Sequence, residues 1–285
     1  MSEPVERSES RTTEVGGLTV RRALPKRGRR TVGGWCFVDH FGPAGGEAQM
    51  LVGPHPHIGL HTVTWLVEGE VLHRDSLGTE QLIRPGQLNL MTAGHGVAHA
   101  EETPVGPRAG LHGAQLWVAQ PDTTRQGPPA FEHHEELPVM GTGGAAITVL
   151  VGEIDGIRSP ACTDTPLLGL AVTGAGRAEL PVVTGFEHAI VVLDGSVALG
   201  ADVLRPGELA YLAPGREALA LELEPGSHAL VLGGEPFPEL LRMWWNFVGR
   251  TQDELDQAGR DWNAGHERFG SVESSLARIP APAGR

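Results

Sequence analysis

Hydrophobic positions along the chain recur in short runs with a period close to two, and glycine, proline or polar turns separate these runs. HTVTWLVEGEVLH, GAQLWVAQ and HAIVVLDGSVALG are examples that combine β-branched residues with alternation, which is typical of strands. The 40 Gly and 22 Pro residues fall between such runs and not in tracts, as expected of turn residues. The pattern predicts an all-β protein.

The chain also contains an internal repeat. LIRPGQLNLM, residues 82–91, resembles VLRPGELAYL, residues 203–212, and TWLVEGEV before the first block resembles VVLDGSV before the second. Two similar blocks in the same order indicate duplication of one β-unit. We therefore expect two tandem β-barrels or jelly rolls.

Composition divides the chain further. Residues 1–15 are polar and lack periodicity, which predicts a mobile N-terminal arm. We place the first barrel at residues 16–125 and the second at 126–285. The apolar spacing after Pro238, with Thr251 and Glu254 in the spacing of a capping box, predicts one or two short C-terminal helices packed on the β-sandwich.

Charge and cysteine content exclude several functions. The formal net charge of -13 disfavours direct nucleic-acid binding, and no apolar run approaches the ~18 residues that a membrane span needs. Two cysteines are too few for a disulfide framework, and no secretory leader opens the chain. We expect a cytoplasmic protein, and a monomer, because the duplication supplies two barrels that can cover each other.

Histidines are concentrated in the first half, where seven of the 13 lie between His55 and His112. His55 and His57 are two residues apart, as are His99 and Glu101, and residues at i and i+2 of a strand point to the same face. If the two strands are neighbours, the four side chains can converge. Three imidazoles and a carboxylate suit Fe(II), Mn, Cu, Ni or Zn and leave open positions for substrate.

These motifs carry a resemblance. HPHIGLHTVTWLVEGEVLHRDSLG, RPGQLNLMTAGHGVAHAEE and QLWV, in this order, resemble the pirin family of the cupin superfamily. The resemblance implies a bicupin fold with one metal, usually iron, in the N-terminal barrel only. It places the metal ligands at His55, His57, His99 and Glu101.

The repeat allows a check on that asymmetry. When the Gly and Arg-Pro-Gly motifs of the two halves are aligned, four residues fall opposite the candidate ligands: Pro181, Val183, Ala220 and Glu222. Three of the four cannot bind a metal, so the second barrel is predicted to be metal-free. His188 is then not expected to be a ligand.

Other polar residues could line the site. Relatives commonly carry Glu where this chain has His61, and three roles for His61 remain open: a further imidazole at the metal, a hydrogen-bond donor to a ligand, or a residue with its own partner. We favour the last two. His95, His112 and Gln115 are candidates for the mouth or wall of the pocket.

Some pirins resemble quercetin 2,3-dioxygenases, so the resemblance implies O2-dependent ring cleavage of a flavonol-like substrate, with Glu101 as both ligand and base. Other pirins resemble regulators that bind partner proteins in response to the oxidation state of the iron. A non-redox isomerase or hydrolase on the same scaffold is a third possibility. The sequence does not select among these functions, because one metal site can serve several activities.

Overall fold

The computed structural model describes residues 5–46, 48–105 and 110–283. Strands account for almost all regular structure in these ranges, and one α-helix and one 3₁₀ turn follow them near the C-terminus. The prediction of an all-β chain with short C-terminal helical structure is confirmed.

The strands are labelled in chain order. They are β1 (Glu6–Glu9), β2 (Arg11–Val15), β3 (Leu18–Leu24), β4 (Trp35–Ala44), β5 (Leu51–His57), β6 (Leu60–Glu68), β7 (Val71–Asp75), β8 (Glu80–Ile83), β9 (Leu88–Thr92), β10 (Val97–Glu102), β11 (Leu111–Ala119), β12 (Ala130–His134), β13 (Val139–Thr142), β14 (Ala145–Ile154), β15 (Ile157–Arg158), β16 (Leu167–Pro181), β17 (Glu187–Asp194), β18 (Val197–Leu199), β19 (Asp202–Leu204), β20 (Glu208–Leu212), β21 (Ala218–Gly234), β22 (Arg242–Trp244) and β23 (Phe247–Gly249). Helix α1 spans Gln252–Ala264, and the 3₁₀ turn spans Glu267–Phe269.

The chain forms two compact units whose boundaries differ from the predicted ones. The C-terminal unit contains Met1–Thr12, Arg21–His40 and His134–Phe237, and the N-terminal unit contains Thr13–Val20, Phe41–His133 and Pro238–Arg285. Segments from each end of the chain are thus exchanged relative to a simple division near residue 125. A linear reading of composition does not reveal such an exchange, because it depends on which buried surface each segment covers.

Specific contacts account for the exchanged segment Arg21–His40 in the C-terminal unit. The indole nitrogen of Trp35 donates to the carbonyl oxygens of Leu168, at 3.0 Å, and Gly233, at 3.2 Å. The Gly33 amide donates to the buried carboxylate of Glu187. Because Trp35 is fully buried, these bonds satisfy polar groups that water cannot reach.

The prediction of a mobile N-terminal arm was wrong, because the described part of residues 1–15 forms strands. β1 pairs antiparallel with β20 from Glu6↔Tyr211 to Glu9↔Glu208, and Arg7 bonds to Glu208 at 2.5 Å. An edge strand with polar side chains has the composition of a disordered arm, but its backbone ladder holds it in the sheet. Residues 1–4 lie outside the described residues.

The C-terminal unit is built on a ten-stranded sheet with the order β1-β20-β17-β21-β16-β14-β13, and β15, β18 and β19 pair off this path. β16 and β21 pair from Leu167↔Gly234 to Pro181↔Ala218, with a break between Gly174 and Gly176. One face of these strands packs into a continuous apolar core of Leu, Ile, Val, Ala and Phe side chains. Burial of this face stabilises the unit by removing apolar surface from water.

The N-terminal unit holds a four-stranded sheet with the order β5-β10-β7-β8. A seven-stranded sheet has the order β12-β9-β6-β11-β4-β3-β2, and the chain passes from one unit to the other within β3 and again within β4. The strands that carry the histidine motifs, β5 and β10, are neighbours. The juxtaposition expected from the sequence is therefore present.

The C-terminal segment packs on the outer side of this four-stranded sheet. Ile58 and Ala98 belong to one apolar cluster with Phe247, Trp262 and Phe269. Contrary to the predicted helix after Pro238, residues 242–249 form the β22–β23 hairpin, in which Met243 pairs with Val248. The aromatic residues of this stretch have helical spacing, but their packing against the sheet selects the hairpin.

Helix α1 begins at the predicted position. The Thr251 side chain accepts a hydrogen bond from the Glu254 amide at 3.2 Å, and the helix ends at Gly265 in the left-handed conformation. The side chain of Glu254 turns back to the amide of Arg250. Of the two hydrogen bonds of the predicted capping box, the one from the Glu254 amide to the Thr251 hydroxyl is thus formed.

Replacement of Thr251 with alanine is expected to destabilise the protein by about 1 kcal/mol, because the Glu254 amide loses its acceptor. The free energy of unfolding in urea measures this change. Thr251→Ser keeps the oxygen and is expected to remain close to wild type. Equal stability of the alanine and serine variants would contradict the capping role.

Candidate metal centre

The pairing of β5 with β10 brings the two histidine motifs together. His99 lies opposite His55, and Val97 lies opposite His57. On its other edge β10 pairs with β7, where His99 lies opposite Asp75 and Glu101 opposite His73. Strand alternation then points the imidazoles to one side of the sheet, away from the cluster that contains Ala98.

Three imidazoles converge in the interior. The ring centroids of His55, His57 and His99 are 4.3–5.1 Å apart, and all three residues are buried. The Nε2 atoms of His57 and His99 are 3.0 Å apart. One nitrogen from each of the three lies within 4.8 Å of the others, so the group could hold a metal ion.

Hydrogen bonds from the Nδ1 atoms orient the rings of His55 and His57. Nδ1 of His55 donates to the carbonyl of Gly53, and Nδ1 of His57 donates to the carbonyl of Asn246, both at 2.9 Å. A neutral imidazole carries one N–H, so the Nε2 atoms of both residues present lone pairs. Lone pairs crowded in this way fit a cation between them, and the donor set therefore suits a divalent metal.

Electrostatics favour the neutral, metal-binding form of the histidines. Burial lowers the pKa of His55 to about 4 and the pKa values of His57 and His99 well below the usual range, because desolvation disfavours the charged imidazolium. The imidazoles are thus neutral at physiological pH. Metal binding there requires no loss of protons from these three side chains.

Glu101 lies at the same interior face. Burial raises its pKa above the usual range, and the Thr64 hydroxyl lies 3.4 Å from its Oε1. The same hydroxyl donates to Gln115 at 2.9 Å, so Thr64 connects Gln115 to Glu101. A carboxylate oxygen of Glu101 lies within 4.8 Å of nitrogens of His73 and His99, a second group that could hold a metal.

His73 and Asp75 also lie at this site, although the sequence did not place them among the candidate site residues. Both are buried. Nε2 of His73 is 3.0 Å from Oδ2 of Asp75, and its Nδ1 is 3.4 Å from Nδ1 of His99. The signal was available, since His73 and Asp75 show the same i, i+2 spacing as the two recognised pairs.

His61 lies outside both groups of possible metal ligands among the described residues. Its Nδ1 is 2.9 Å from the Thr92 hydroxyl. It is three residues from Thr64 on β6, so the two side chains point to opposite faces, and the Thr64 face is the one that meets Glu101. Of the three roles considered, the structure favours a residue with its own partner.

The other two predicted pocket histidines belong to neither group of possible metal ligands among the described residues. Nδ1 of His95 donates to the Gly127 carbonyl at 2.9 Å, which ties the turn before β10 to a neighbouring loop. His112 is buried at the start of β11, where it lies opposite Glu68. Trp117, farther along β11, instead reaches the site, and its ring meets that of His57 edge-on at 5.0 Å.

The predicted counterparts in the second half need correction. Ala220 pairs with Glu179, and both side chains are exposed, whereas the neighbouring Leu180 and Leu221 enter the apolar core. Pro181, Val183 and Glu222 are also exposed. Motif alignment missed the inward face, because a shift of one residue reverses the direction of every side chain on a strand.

The absence of a metal from the second barrel stays a prediction. The inward positions of β16 and β21 carry aliphatic side chains, which offer no metal ligands. His188 is buried and contacts the Phe186 ring at 6.3 Å between centroids. It belongs to no group of three possible ligands in the described part of the chain.

Comparison with known proteins decides the family. The family model of pirin matches residues 17–118, and the family model of the pirin C-terminal cupin domain matches residues 167–270. A Pseudomonas aeruginosa protein, provisionally named a quercetin 2,3-dioxygenase, is 46% identical over 98% of this chain and 90% of its own length. The chain belongs to the pirin family. A pirin-like protein of Caulobacter vibrioides is 37% identical over 96% of this chain and 98% of its own length.

A solved structure agrees with this membership. The crystal structure of quercetin 2,3-dioxygenase from Acinetobacter baumannii has a TM-score of 0.94 and 42% identity, and the match covers 98% of this chain and 95% of that one. The bicupin fold predicted from the pirin motifs is confirmed. In the described residues, no helix is both long and apolar enough to cross a membrane.

Proposed function

We propose that this pirin is a metal-dependent dioxygenase of the quercetin 2,3-dioxygenase type. One observation carries the proposal: three buried, neutral imidazoles and a carboxylate share one interior face, and two of the imidazoles are oriented by backbone carbonyls. The names of the relatives in Pseudomonas and Acinetobacter support the same reaction class. A flavonol-like molecule and O2 are the proposed substrates.

The proposed ligands are His55, His57, His99 and Glu101. We propose Fe(II) as the native ion, although Mn, Cu, Ni and Zn suit the same donors. When bound, such a cation lowers the pKa of a coordinated substrate hydroxyl and brings the substrate close to O2. The remaining His73 is assigned to the support of His99.

The side chains around the ligands perform the other tasks. Glu101 is the proposed base that accepts the proton of the flavonol 3-hydroxyl, and the Thr64 hydroxyl lies between Glu101 and Gln115 to orient them. Trp117 supplies an aromatic wall beside His57. In the overall reaction both atoms of O2 enter the products, and one ring carbon leaves as CO.

An aerobic assay of the Fe(II)-loaded protein with quercetin tests the proposal. We expect loss of the flavonol absorbance and release of one CO per substrate consumed. The metal-free protein is the control and is expected to be inactive. Absence of turnover with Fe(II), Mn, Cu, Ni and Zn in separate preparations would exclude the quercetinase activity and would favour a regulatory role of the metal.

A further inference from the structure

We infer that the C-terminal unit contains a second binding site, for a small carboxylic acid with an apolar body. The site is a cavity of about 440 Å³, here termed the His188 cavity, and it lies between the ends of β14 and β16 and the loop before β17. Small-molecule sites have volumes in this range. Its apolar lining includes Ile154, Leu168, Val182 and Phe186. All of these residues belong to the C-terminal unit, so the inference does not rest on the proposed metal centre or its activity.

The side chain of His188 enters the interior of this unit. His188 lies on β17 between Phe186 and Ile190, which both belong to the apolar core, and side chains two residues apart on a strand share a face. The residue is fully buried, and neither ring nitrogen has a hydrogen-bond partner among the residues that the structure describes. A buried polar group without a partner costs free energy. A ligand that supplies the partner would recover this cost.

The imidazole of His188 lies at the inner end of the cavity. His188 is paired with Gly233 of β21, and a methyl group at Gly233 would lie 2.7 Å from Cδ2 and 3.2 Å from Nε2 of the ring. The ring thus covers the backbone of Gly233. On the other side of Gly233 lies its partner Leu168, which lines the cavity together with Phe186. The unpartnered imidazole is therefore placed beside the two innermost lining side chains.

The internal repeat gives this position a counterpart in the first barrel. When TWLVEGEV is aligned with VVLDGSV, Thr62 corresponds to His188. Thr62 is paired with Trp117, which forms the aromatic wall beside His57. His188 is instead paired with Gly233. At the level where the first barrel carries its proposed substrate wall, the second barrel thus carries a glycine and a single imidazole.

A positive charge lies close to this imidazole. The β20–β21 loop carries Arg216, and the neighbouring Gly215 amide donates to the carbonyl of Thr184 at 2.7 Å, within the lining loop at 182–186. Burial and, next to it, the positive charge of Arg216 lower the pKa of His188 to about 4. The ring is therefore neutral at physiological pH and presents one N–H and one lone pair. Arg216 supplies the charge at this end of the cavity.

A carboxylate fits this combination of groups. It can accept from the N–H of His188 and pair with Arg216, which offsets the cost of placing an anion in the interior. The charges at the rim do not oppose it strongly, because Glu153 is paired with Arg158 at 2.6 Å and Asp155 is exposed to screening by water. The rest of the ligand must be apolar, since it faces the aliphatic and aromatic lining.

Titration of the full-length, chelator-treated protein with benzoate tests the site without a variant. Removal of metal prevents the carboxylate from binding a metal in the first barrel. Histidine ¹⁵N NMR should show a saturable shift of the His188 ring signals, with a Kd below about 1 mM for a ligand of this size. Absence of a shift at His188, or a shift confined to the histidines of the first barrel, would overturn the inference.

Benzamide is the matched probe for the carboxylate, because it has nearly the same shape and no charge. It should bind at least about tenfold more weakly than benzoate, as expected when a charge-assisted hydrogen bond is replaced by a neutral one. Equal affinity for the two molecules would refute the assignment of a carboxylic acid.

Replacement of Arg216 with glutamine is expected to lower the affinity for benzoate by about 10- to 100-fold, because the bond to a charged donor is lost. Arg158→Gln is the control, since it removes a guanidinium from the rim whose partner is Glu153. Its affinity should stay within about twofold of the wild type. Wild-type affinity in a folded Arg216→Gln variant would overturn the role of Arg216.

These measurements are independent of the proposed activity. Inactivity toward quercetin refutes the dioxygenase and leaves benzoate binding at His188 unaffected. Conversely, failure of benzoate to bind refutes the site in the C-terminal unit and leaves the metal content and turnover of the first barrel unchanged.

Discussion

Replacement of His57 with alanine is expected to abolish stoichiometric metal binding. The variant removes one of three converging nitrogens, and the affinity should fall by more than the roughly 10- to 100-fold that the loss of a supporting residue causes. Elemental analysis after dialysis should find about one metal ion per chain in the wild type and only a small fraction of that in the variant. Undiminished metal content would refute the ligand assignment.

His61→Ala is the matched control for this variant. It makes the same substitution at a second buried histidine only four residues away, on the face of β6 opposite Thr64. The bond to Thr92 is lost, but the metal content should stay near that of the wild type. Loss of the metal in both variants, with both proteins folded by circular dichroism, would place His61 at the metal and overturn its assignment.

The convergence at this centre was predictable because strand geometry constrains it. Side chains at i and i+2 share a face whatever the surrounding fold, so the spacing of His55 with His57 and of His99 with Glu101 specified two paired sets. The resemblance to pirins then placed all four residues at one metal. The structure adds the register, in which His55 lies opposite His99.

The sequence was less informative where a single residue of offset matters. Alignment of the repeats predicted that the second half lacks the ligands, and it named Ala220, although Leu221 occupies the inward face. Repeated motifs at turns fix the order of strands but tolerate an inserted or deleted residue between them. Only the burial pattern reveals which face of the strand turns inward.

His73 illustrates a different limit. Its i, i+2 partner Asp75 is visible in the sequence, but an aspartate before a glycine turn also suits an ordinary hairpin. Their function depends on the pairing of β7 with β10, which sets Asp75 opposite His99. Contacts between strands distant in sequence are the part of the site that local patterns do not specify.

Replacement of Glu101 with glutamine is expected to lower kcat for quercetin by about 10²- to 10⁴-fold, the usual contribution of a positioned general base. Glutamine has nearly the same shape and can still contact Thr64, but its amide cannot accept the substrate proton. The measurement is the rate of flavonol loss per bound metal ion, with metal content determined on the same samples. The three histidines should retain part of the metal, so loss of rate and loss of metal can be separated.

Glu102→Gln is the control, because it makes the same substitution one residue farther along β10, on the opposite face. Glu102 bonds to Arg74 at 3.3 Å and to Ser274 at 2.6 Å, and it takes no part in the proposed centre. Its kcat per bound metal should remain within about twofold of the wild type, since only surface polar contacts change. If Glu101→Gln retained the wild-type rate at equal metal content, Glu101 would be at most a ligand, and the substrate proton would have to pass to another acceptor.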